Sequence, residues 1–355
     1  MDPSHDPGAT PTPPGLTGAD DGPVAGADHR RGAAAHQPPD RPARLGPYHL
    51  VAPRAHGGQA EVWEAVRIDP VVERVALKLL PPAVAREPRR RARLRHEARR
   101  GAALDGPALL PTYEFGIDHG IAYLVLPWVD GPTLAEVLDQ RRRCHAGVPP
   151  PCVHRLALLP ESQYLRAVVR ALARVARGLQ AAHAARVVHR DVKPANILLD
   201  RHDPGRVFLI DFGLGRDLDA VTAEQLRRDR SGTLPYVAPE KLRGGPADAV
   251  LGDVYALGVT LFEAVTLRPP WAIPAAVSRA AQVAYLVRTE PLRPRAVRPE
   301  LPAALEAIVL RAMARDPRQR YQSAEAVAAD LERFLGGASA PRPPRLARVG
   351  TAEAT

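Results

Sequence analysis

Apolar and polar residues alternate along much of the first third of the chain, which is the pattern of half-buried β-strands. Residues 60–66 and 74–80 show this alternation together with many β-branched side chains, and two prolines end the second run. Two more strands are predicted on either side of residues 119–120, and the more apolar of them is 121–126. The sequence therefore predicts a β-rich first lobe.

The apolar residues follow a helical period elsewhere. Residues 88–104 are predicted to form a helix between the strands, because their apolar or small side chains recur every three to four positions. The arginines of 86–100 are better explained as the solvated face of this helix than as a docking surface. Long amphipathic helices dominate the second half, as in 165–185 and 301–315. A larger helical lobe is therefore expected to follow the β-rich one.

The two ends of the chain differ in composition from its middle. The first 47 residues are rich in Pro and Gly and hold almost no large apolar side chain, which predicts a disordered tail. A second tail is predicted at 336–355. The expected domain covers 48–335, with an N-terminal lobe of about 48–126, a C-terminal lobe of about 130–335 and a Pro-rich insertion at about 141–161.

The net charge alone does not decide between functions. The chain of 355 residues holds 49 Lys and Arg against 39 Asp and Glu, a formal net charge of +10. Such an excess fits a nucleic-acid partner, but the arginines are spread along the whole chain, so compositional bias is the preferred explanation. Lysine occurs only as Lys78, Lys193 and Lys241, and asparagine only as Asn196. These scarce residues are the first places to look for chemistry.

Several classes of protein are disfavoured. The chain has no run of about 18 uninterrupted apolar residues, so the sequence predicts no transmembrane helix. The first residues also lack the pattern of a secretory signal. Two cysteines, Cys144 and Cys152, cannot form a disulfide framework, which fits a reducing cytosol and predicts a cytoplasmic protein. A zinc site built from these cysteines with His145 and His154 is a weak alternative, because their spacing fits no standard zinc finger.

Two stretches, 187–200 and 207–213, combine short apolar runs with a polar loop, and these two polar loops carry the residues best suited to catalysis. Each loop follows a short apolar run. Asp191, Lys193 and Asn196 lie in the first loop, and Asp211 lies in the second. Two carboxylates, an amide and an ammonium group suit Mg-nucleotide chemistry, because Mg²⁺ prefers oxygen ligands and an ammonium group pairs with a phosphoryl group.

These loops resemble motifs of the protein kinase superfamily, in the form of the eukaryotic-like Ser/Thr protein kinases of bacteria. The matches and near-matches are H-R-D-x-K-x-x-N at 189–196, D-F-G at 211–213, A-P-E at 238–240, V-A-I-K at 75–78, the segment before A-P-E at 231–236, D-V-W-S-L-G at 253–258, and the late Arg that pairs with the A-P-E Glu at Arg320. The resemblance covers most of residues 48–335. It implies an α+β, two-lobed protein kinase fold with a small β-rich lobe and a larger helical lobe.

The resemblance implies a role for each residue of the catalytic loops. Asp191 would accept or orient the proton of the acceptor hydroxyl. Lys193 would contact the transferring phosphoryl group and marks Ser/Thr specificity, and Thr233 would form a hydrogen bond near both. Asn196 and Asp211 would hold Mg²⁺.

The resemblance also implies an ATP site between the lobes. Lys78, ion-paired with Glu97, would contact the α- and β-phosphates. Leu126 would be the gatekeeper, the Pro127 carbonyl would accept from the adenine amino group, and the Val129 N–H would donate to the ring. Further nucleotide contacts are implied for Gly57, Gly58, Val62 and Ala76.

The glycine-rich loop departs from the pattern G-x-G-x-x-G-x-V. Only Gly57 is in register, with Gly58 beside it, while Ala55 and Ala60 replace glycines and restrict positive φ. This departure predicts a looser cover over the phosphates. It also keeps open a pseudokinase that binds nucleotide or partners without efficient turnover. A small-molecule kinase is disfavoured, because the chain has the A-P-E segment and the Lys two residues after the catalytic Asp.

Regulation and partners follow from the resemblance as expectations. Arg190, next to the catalytic Asp, can pair with a phosphothreonine and implies control by activation-loop phosphorylation. Thr222 and Ser231 are the candidate phosphorylation sites, since Thr233 and Tyr236 fit structural roles. The expected partners are proteins with Ser/Thr acceptors, in intracellular signalling, and a homodimer for autophosphorylation stays open.

Overall fold

The computed structural model describes residues 42–57, 60–68, 72–203, 205–212, 234–273 and 277–337. Six strands occupy the first lobe: β1 (Arg44–Leu45), β2 (Tyr48–Gly57), β3 (Ala60–Arg67), β4 (Glu73–Leu79), β5 (Glu114–Asp118) and β6 (Ile121–Pro127). They form one antiparallel sheet in the order β1-β2-β3-β4-β6-β5. The predicted strands β3 to β6 are confirmed within one or two residues.

Strands β1 and β2 were not predicted. The ladder between β2 and β3 shifts register between Leu50 and Ala52 and again between Pro53 and Ala55, so the apolar residues of β2 do not alternate regularly. Strand β1 lies before the predicted domain start at 48, and its Leu45 is fully buried in the sheet core. The core of the first lobe therefore includes a residue that the composition assigned to the tail.

One face of the sheet packs in the core of the first lobe, and the other carries predicted site residues. Trp63 and Leu77 are fully buried on one face, within the core of the first lobe. Val62 pairs with Lys78 across the β3–β4 ladder, and neighbouring side chains on a strand point to opposite faces. The other face therefore carries Val62, Ala76 and Lys78, which are residues that the sequence assigns to nucleotide binding.

Helix α2 covers part of the sheet. A short helix α1 (Pro82–Arg86) leads into α2 (Pro88–Ala102), which confirms the predicted helix and ends two residues earlier. Leu94 and Ala98 of α2 pack in an apolar cluster with Leu124 of the sheet. Most arginines of α2 are exposed, as expected of a solvated helix face.

The second lobe is mainly helical. Its described elements are α3 (Leu134–His145), α4 (Arg155–Leu158), α5 (Glu161–Ala184), β7 (Ile197–Leu199), β8 (Val207–Leu209), α6 (Pro239–Leu242), α7 (Ala249–Thr266), α8 (Arg279–Arg288), α9 (Pro294–Val297), α10 (Ala303–Ala312) and α11 (Ala324–Leu335). Strands β7 and β8 pair antiparallel and carry the two polar loops at their ends. The predicted helices at 165–185 and 301–315 correspond to α5 and α10.

Helix α7 lies at the centre of the second lobe. A Cβ added at Gly258 would lie 2.8 Å from the Cβ of Ala312, so α7 and the end of α10 approach closely there. By length and composition α7 is the one helix of the described segments apolar enough to cross a membrane, and most of it is buried inside the protein. Its sequence is not an uninterrupted apolar run, because it contains Asp253 and Glu263.

A buried arginine organises the predicted Pro-rich insertion. Arg141, at 2 % exposure, donates hydrogen bonds of 3.0 and 2.9 Å to the carbonyls of Ala157 and Leu159, and it forms a 2.8 Å ion pair with Glu161. Its guanidinium also lies over the Tyr164 ring. These contacts join α3, α4 and the start of α5, so this segment is packed onto the lobe.

Candidate active site

The first polar loop gathers three of the predicted site residues. The Lys193 ammonium donates to both carboxylate oxygens of Asp191, at 3.1 and 2.8 Å. The amide nitrogen of Asn196 donates to the Asp191 carbonyl at 2.7 Å and to its carboxylate at 3.0 Å. The Asp191 carboxylate is therefore an acceptor held in place by two donors from its own loop.

A buried carboxylate beneath this loop holds its backbone. Asp253, at 1 % exposure on α7, accepts from the N–H groups of His189 and Arg190 at 2.8 and 2.6 Å, and from Nε2 of His183 at 2.9 Å. Arg190 adopts a φ of +68°, which is costly for a residue with a side chain. The hydrogen bonds to Asp253 stabilise this conformation. The sequence marked Asp253 only as the start of a helix motif and missed its role.

His189 links the two polar loops. Its Nδ1 accepts from the Asp191 N–H at 3.2 Å, so this nitrogen carries no proton, and its Nε2 donates to the Ile210 carbonyl at 2.8 Å. Complete burial lowers the pKa of His189 below its ordinary value, although the Asp253 charge acts in the opposite direction. The imidazole is therefore neutral, and one ring fixes the separation of the two loops.

Asp211 meets Lys78 across the cleft between the lobes. The Lys78 ammonium lies 2.7 Å from Oδ1 of Asp211. Burial raises the pKa of Asp211, but the Lys78 charge and hydrogen bond outweigh it and hold that pKa below its ordinary value. Asp211 also has a positive φ of +66°. The side chain of Glu97 in α2 lies outside the described part of the structure, so the Lys78–Glu97 ion pair stays a prediction.

Asn196 and Asp211 fit a site for a hard divalent cation. Both hydrogen bonds of the Asn196 amide use its nitrogen, so its oxygen is the atom that can ligate a metal. Asp211 is ionised and supplies carboxylate oxygens. Amide and carboxylate oxygens are the ligands that Mg²⁺ prefers. The residues present therefore fit the predicted metal.

The predicted adenine contacts lie where the sheet meets the second lobe. Ala76 of β4 pairs with Leu126 of β6, and the ladder ends where Val75 pairs with Pro127. The chain then passes through residues 127–130, here called the hinge, into the second lobe. This register places Leu126 beside the cleft face of the sheet. Gly57 ends β2 and pairs with Ala60, while Gly58, Thr222, Ser231 and Thr233 lie outside the described residues.

Comparison with known proteins decides the family. Residues 55–331 match the protein kinase domain family, which is more than half of the chain. The chain belongs to the protein kinase domain family. Its two-lobed fold and the arrangement of its polar loops agree with this membership.

Relatives of this kinase domain carry bacterial Ser/Thr kinase names. A probable serine/threonine-protein kinase of Streptomyces coelicolor is 36 % identical over 84 % of this chain. PknB of Mycobacterium leprae, named a serine/threonine-protein kinase, is 34 % identical over 83 % of this chain. The matches cover 41 % and 43 % of those two proteins, so the chain spans less than half of their length.

Solved structures of the same fold include a mycobacterial kinase domain. The crystal structure of the Mycobacterium tuberculosis PknI kinase domain is similar with a TM-score of 0.57 and 26 % identity. The similarity covers 81 % of this chain and 96 % of that structure. The predicted α+β, two-lobed kinase fold is confirmed. The family implies ATP and a divalent metal as cofactors.

The end of the hinge and the two residues after it are held by hydrogen bonds to the end of β7 and to the loop that follows it. The N–H groups of Leu199 and Arg201 donate to the carbonyls of Pro132 and Asp130, at 2.9 and 2.8 Å. A Cβ at Gly131 would collide with the Leu199 carbonyl. Only glycine permits this approach, which the sequence did not reveal because the partners lie about 70 residues apart.

One prediction from the kinase motifs is settled by side-chain geometry. The fully buried Arg320 forms a two-point ion pair with Glu240 at 3.0 and 3.1 Å, which confirms the predicted pairing.

Gly101 of α2 packs closely against the loop before β5. A Cβ there would lie 3.1 Å from the hydroxyl of buried Thr112, so Thr112 occupies the space beside this glycine.

The cysteine and histidine cluster of the insertion does not assemble. Among the residues that the structure describes, no group of three or more His, Cys, Asp and Glu side chains could hold a metal ion. His154 is buried instead and caps α4, where its Nδ1 accepts from the Leu156 N–H. Cys144 and Cys152 are free thiols.

Proposed function

We propose that this chain is an ATP-dependent protein serine/threonine kinase. The observation that carries the proposal is the convergence of Asp191, Lys193 and Asn196 in one loop, which His189 joins to the loop of Asp211. The names of the relatives support the same activity. The position of Lys193 next to the Asp191 carboxylate supports serine or threonine as the acceptor.

The residues of the site account for the transfer of one phosphoryl group. Asp191 accepts the proton of the acceptor hydroxyl as its oxygen forms a bond to the γ-phosphorus of ATP. The bond from this phosphorus to the β,γ-bridging oxygen breaks, and ADP leaves with that electron pair. Lys193 stabilises the negative charge on the transferred group. The proton on Asp191 then passes to solvent.

Asn196 and Asp211 would hold the Mg²⁺ that accompanies ATP, and Lys78 would bind the α- and β-phosphates. The metal supplies charge neutralisation on the phosphate oxygens. Thr233 is proposed to form a hydrogen bond near Asp191 and Lys193. Nucleotide contacts are proposed for Gly57, Gly58, Val62, Ala76 and Glu97, and for the hinge.

The setting of this activity is also a proposal. The expected substrates are proteins with Ser/Thr acceptors in intracellular signalling, with autophosphorylation at Thr222 or Ser231 between two copies of the chain. The free thiols of Cys144 and Cys152 support a reducing cytoplasm. The alternative of a pseudokinase gains no support, because Lys78 and Asp211 are in contact and the Asp191 loop is complete.

Replacing the proposed base tests the function. With Mg-ATP and a generic basic protein, Asp191→Asn is expected to lower kcat by about 10²- to 10⁴-fold, because an amide accepts no proton. Nucleotide affinity should stay near that of the wild type. The control Asp139→Asn changes an exposed Asp of α3 and should keep full activity. Equal phosphate incorporation by the wild type and Asp191→Asn would refute the proposal.

A further inference from the structure

An aromatic side chain of the hinge lies against two arginines of the sheet. Trp128 stands between Pro127 and Val129, whose backbone groups are the proposed adenine contacts. The guanidinium carbons of Arg54 and Arg74 lie 5.2 and 4.8 Å from the centroid of its ring. Both distances are within the range of cation–π attraction.

The two arginines share one buried carboxylate. Glu64 is 7 % exposed, and its Oε1 accepts from Nε and Nη2 of Arg74 at 3.0 and 2.7 Å. Its Oε2 accepts from Nε of Arg54 at 3.0 Å and also from Nη2 of the same residue. Burial acts to raise the pKa of Glu64, but the two arginines lower it below its ordinary value. Arg54, Glu64, Arg74 and Trp128 are here called the hinge clamp.

The sheet register brings these residues together. Glu64 pairs with Ala76, so its side chain lies on the cleft face of the sheet. Arg74 directly precedes Val75, the residue that pairs with Pro127 at the start of the hinge. Arg54 stands at the bulge of β2, between Pro53 and Ala55, where one residue is left out of the ladder. The clamp therefore joins three strands to the hinge.

The Trp128 ring is held through its π-system. Its Nε1 is buried and has no hydrogen-bond partner among the residues that the structure describes. The clamp carries two guanidinium charges and one carboxylate, so a net positive charge faces the negative face of the indole. Loss of one arginine would remove both a ring contact and half of the neutralisation of buried Glu64.

We propose that the hinge clamp positions the backbone of residues 127–129 for adenine, which makes Arg54, Glu64, Arg74 and Trp128 positioning residues for nucleotide selection. The inference rests on the proposed function, because it takes the hinge to be the adenine site. The clamp residues lie apart from Asp191 and Lys193 along the fold, on the sheet and hinge. Their loss should therefore act on nucleotide binding rather than on the transfer step.

Kinetics with ATP and GTP test this role. Arg74→Leu is expected to raise the KM for ATP about tenfold, the effect of losing about 1.4 kcal/mol of binding, with kcat about unchanged. The preference for ATP over GTP should narrow, because the hinge carbonyl and N–H match adenine only when they are correctly placed. Trp128→Leu should act alike, whereas Trp128→Phe keeps a ring and should restore most of the wild-type KM.

An arginine far from the hinge provides the matched control. Arg177→Leu removes another arginine that pairs with two carboxylates, Glu325 and Glu332 in α11, and should leave every constant unchanged. If Arg74→Leu does not fold, Arg74→Lys replaces it, since lysine keeps the charge but loses the planar two-point contact.

Each result then has one meaning. A wild type that transfers no phosphate would refute the proposed function itself. An active wild type with unchanged KM in the clamp variants would refute the positioning role. A lower kcat or melting temperature at constant KM, or an equal rise of KM for ATP and GTP, would show a structural role only and would also overturn the inference.

Discussion

The chemistry of the site depends on single side chains that perform two tasks. His189 accepts a hydrogen bond from the loop of the proposed base and donates one to the loop of the proposed metal ligand. Only the neutral ring can do both, because a proton on Nδ1 would point at the Asp191 N–H, which is also a donor. The geometry of the site is therefore linked to the protonation state of a buried histidine.

This linkage gives a pH dependence. The folded-state pKa of His189 lies below that of an unfolded chain, about 6.5. The unfolded state then binds more protons, so the contribution of His189 to stability is complete above about pH 6.5 and is lost as the pH falls towards the folded-state pKa. The urea midpoint of wild type should fall more between pH 7.5 and 5.5 than that of His189→Leu.

The control for this titration is His96→Leu, which removes an exposed histidine of α2. It should keep the wild-type pH dependence. If His189→Leu and the wild type lose stability in parallel as the pH falls, the neutral buried ring is not the origin of the effect.

The sequence predicts a site residue where its residue type and its spacing to neighbouring residues are themselves informative. Lys78, Lys193 and Asn196 stood out because the chain uses these residue types so sparingly, and their spacing matched a motif. The roles of Asp253 and of Trp128 were not predictable. Each depends on partners more than 50 residues away, and only the docking of α7 or the register of the sheet brings those partners close.

At the scale of elements, periodicity predicted what packs regularly. Strands β3 to β6 and helices α2, α5 and α10 all have one regular apolar face. Strand β2 escaped prediction because its bulges interrupt the alternation, and the same bulge sets Arg54 apart for contact with Glu64. The bulge at Arg54 therefore makes β2 hard to predict from the sequence, and it also places Arg54 in the hinge clamp.

Two glycines of α7 offer a matched test of element packing. Gly258→Ala is expected to lower the free energy of unfolding by about 1–3 kcal/mol, because its Cβ would meet Ala312 at 2.8 Å. Gly252→Ala in the same helix meets nothing within 4 Å, and should raise stability by about 0.4–1 kcal/mol through better helix propensity. Urea unfolding measures both, and effects of equal sign would contradict the close approach of α7 and α10.

At the scale of the whole molecule, the ion pair between Lys78 and Asp211 joins the two lobes. Lys78 belongs to the sheet and Asp211 to the loop after β8, and their 2.7 Å contact spans the cleft at the proposed phosphate site. A ligand that binds both residues stabilises the folded chain by mass action. Function and global stability are therefore coupled through this contact.

The coupling predicts a thermal shift. Mg-ATP at 100 times its Kd should stabilise the wild type by about 2.7 kcal/mol, and the melting temperature should rise accordingly. Lys78→Met and Asp211→Asn should lose most of this rise, since each removes a proposed contact to the ligand. Lys241→Met changes the lysine outside the site and should keep it. A full shift in Asp211→Asn would contradict the proposed metal site.

The three tryptophans of the chain fall in three separate places. Trp63 is buried in the sheet core, Trp271 is buried in the helical lobe, and Trp128 lies in the hinge between them. The tryptophan fluorescence of this protein therefore contains one emitter for each lobe and one for the hinge. Chains that keep a single tryptophan would allow the melting of each lobe and the arrival of a nucleotide to be followed separately, without any attached dye.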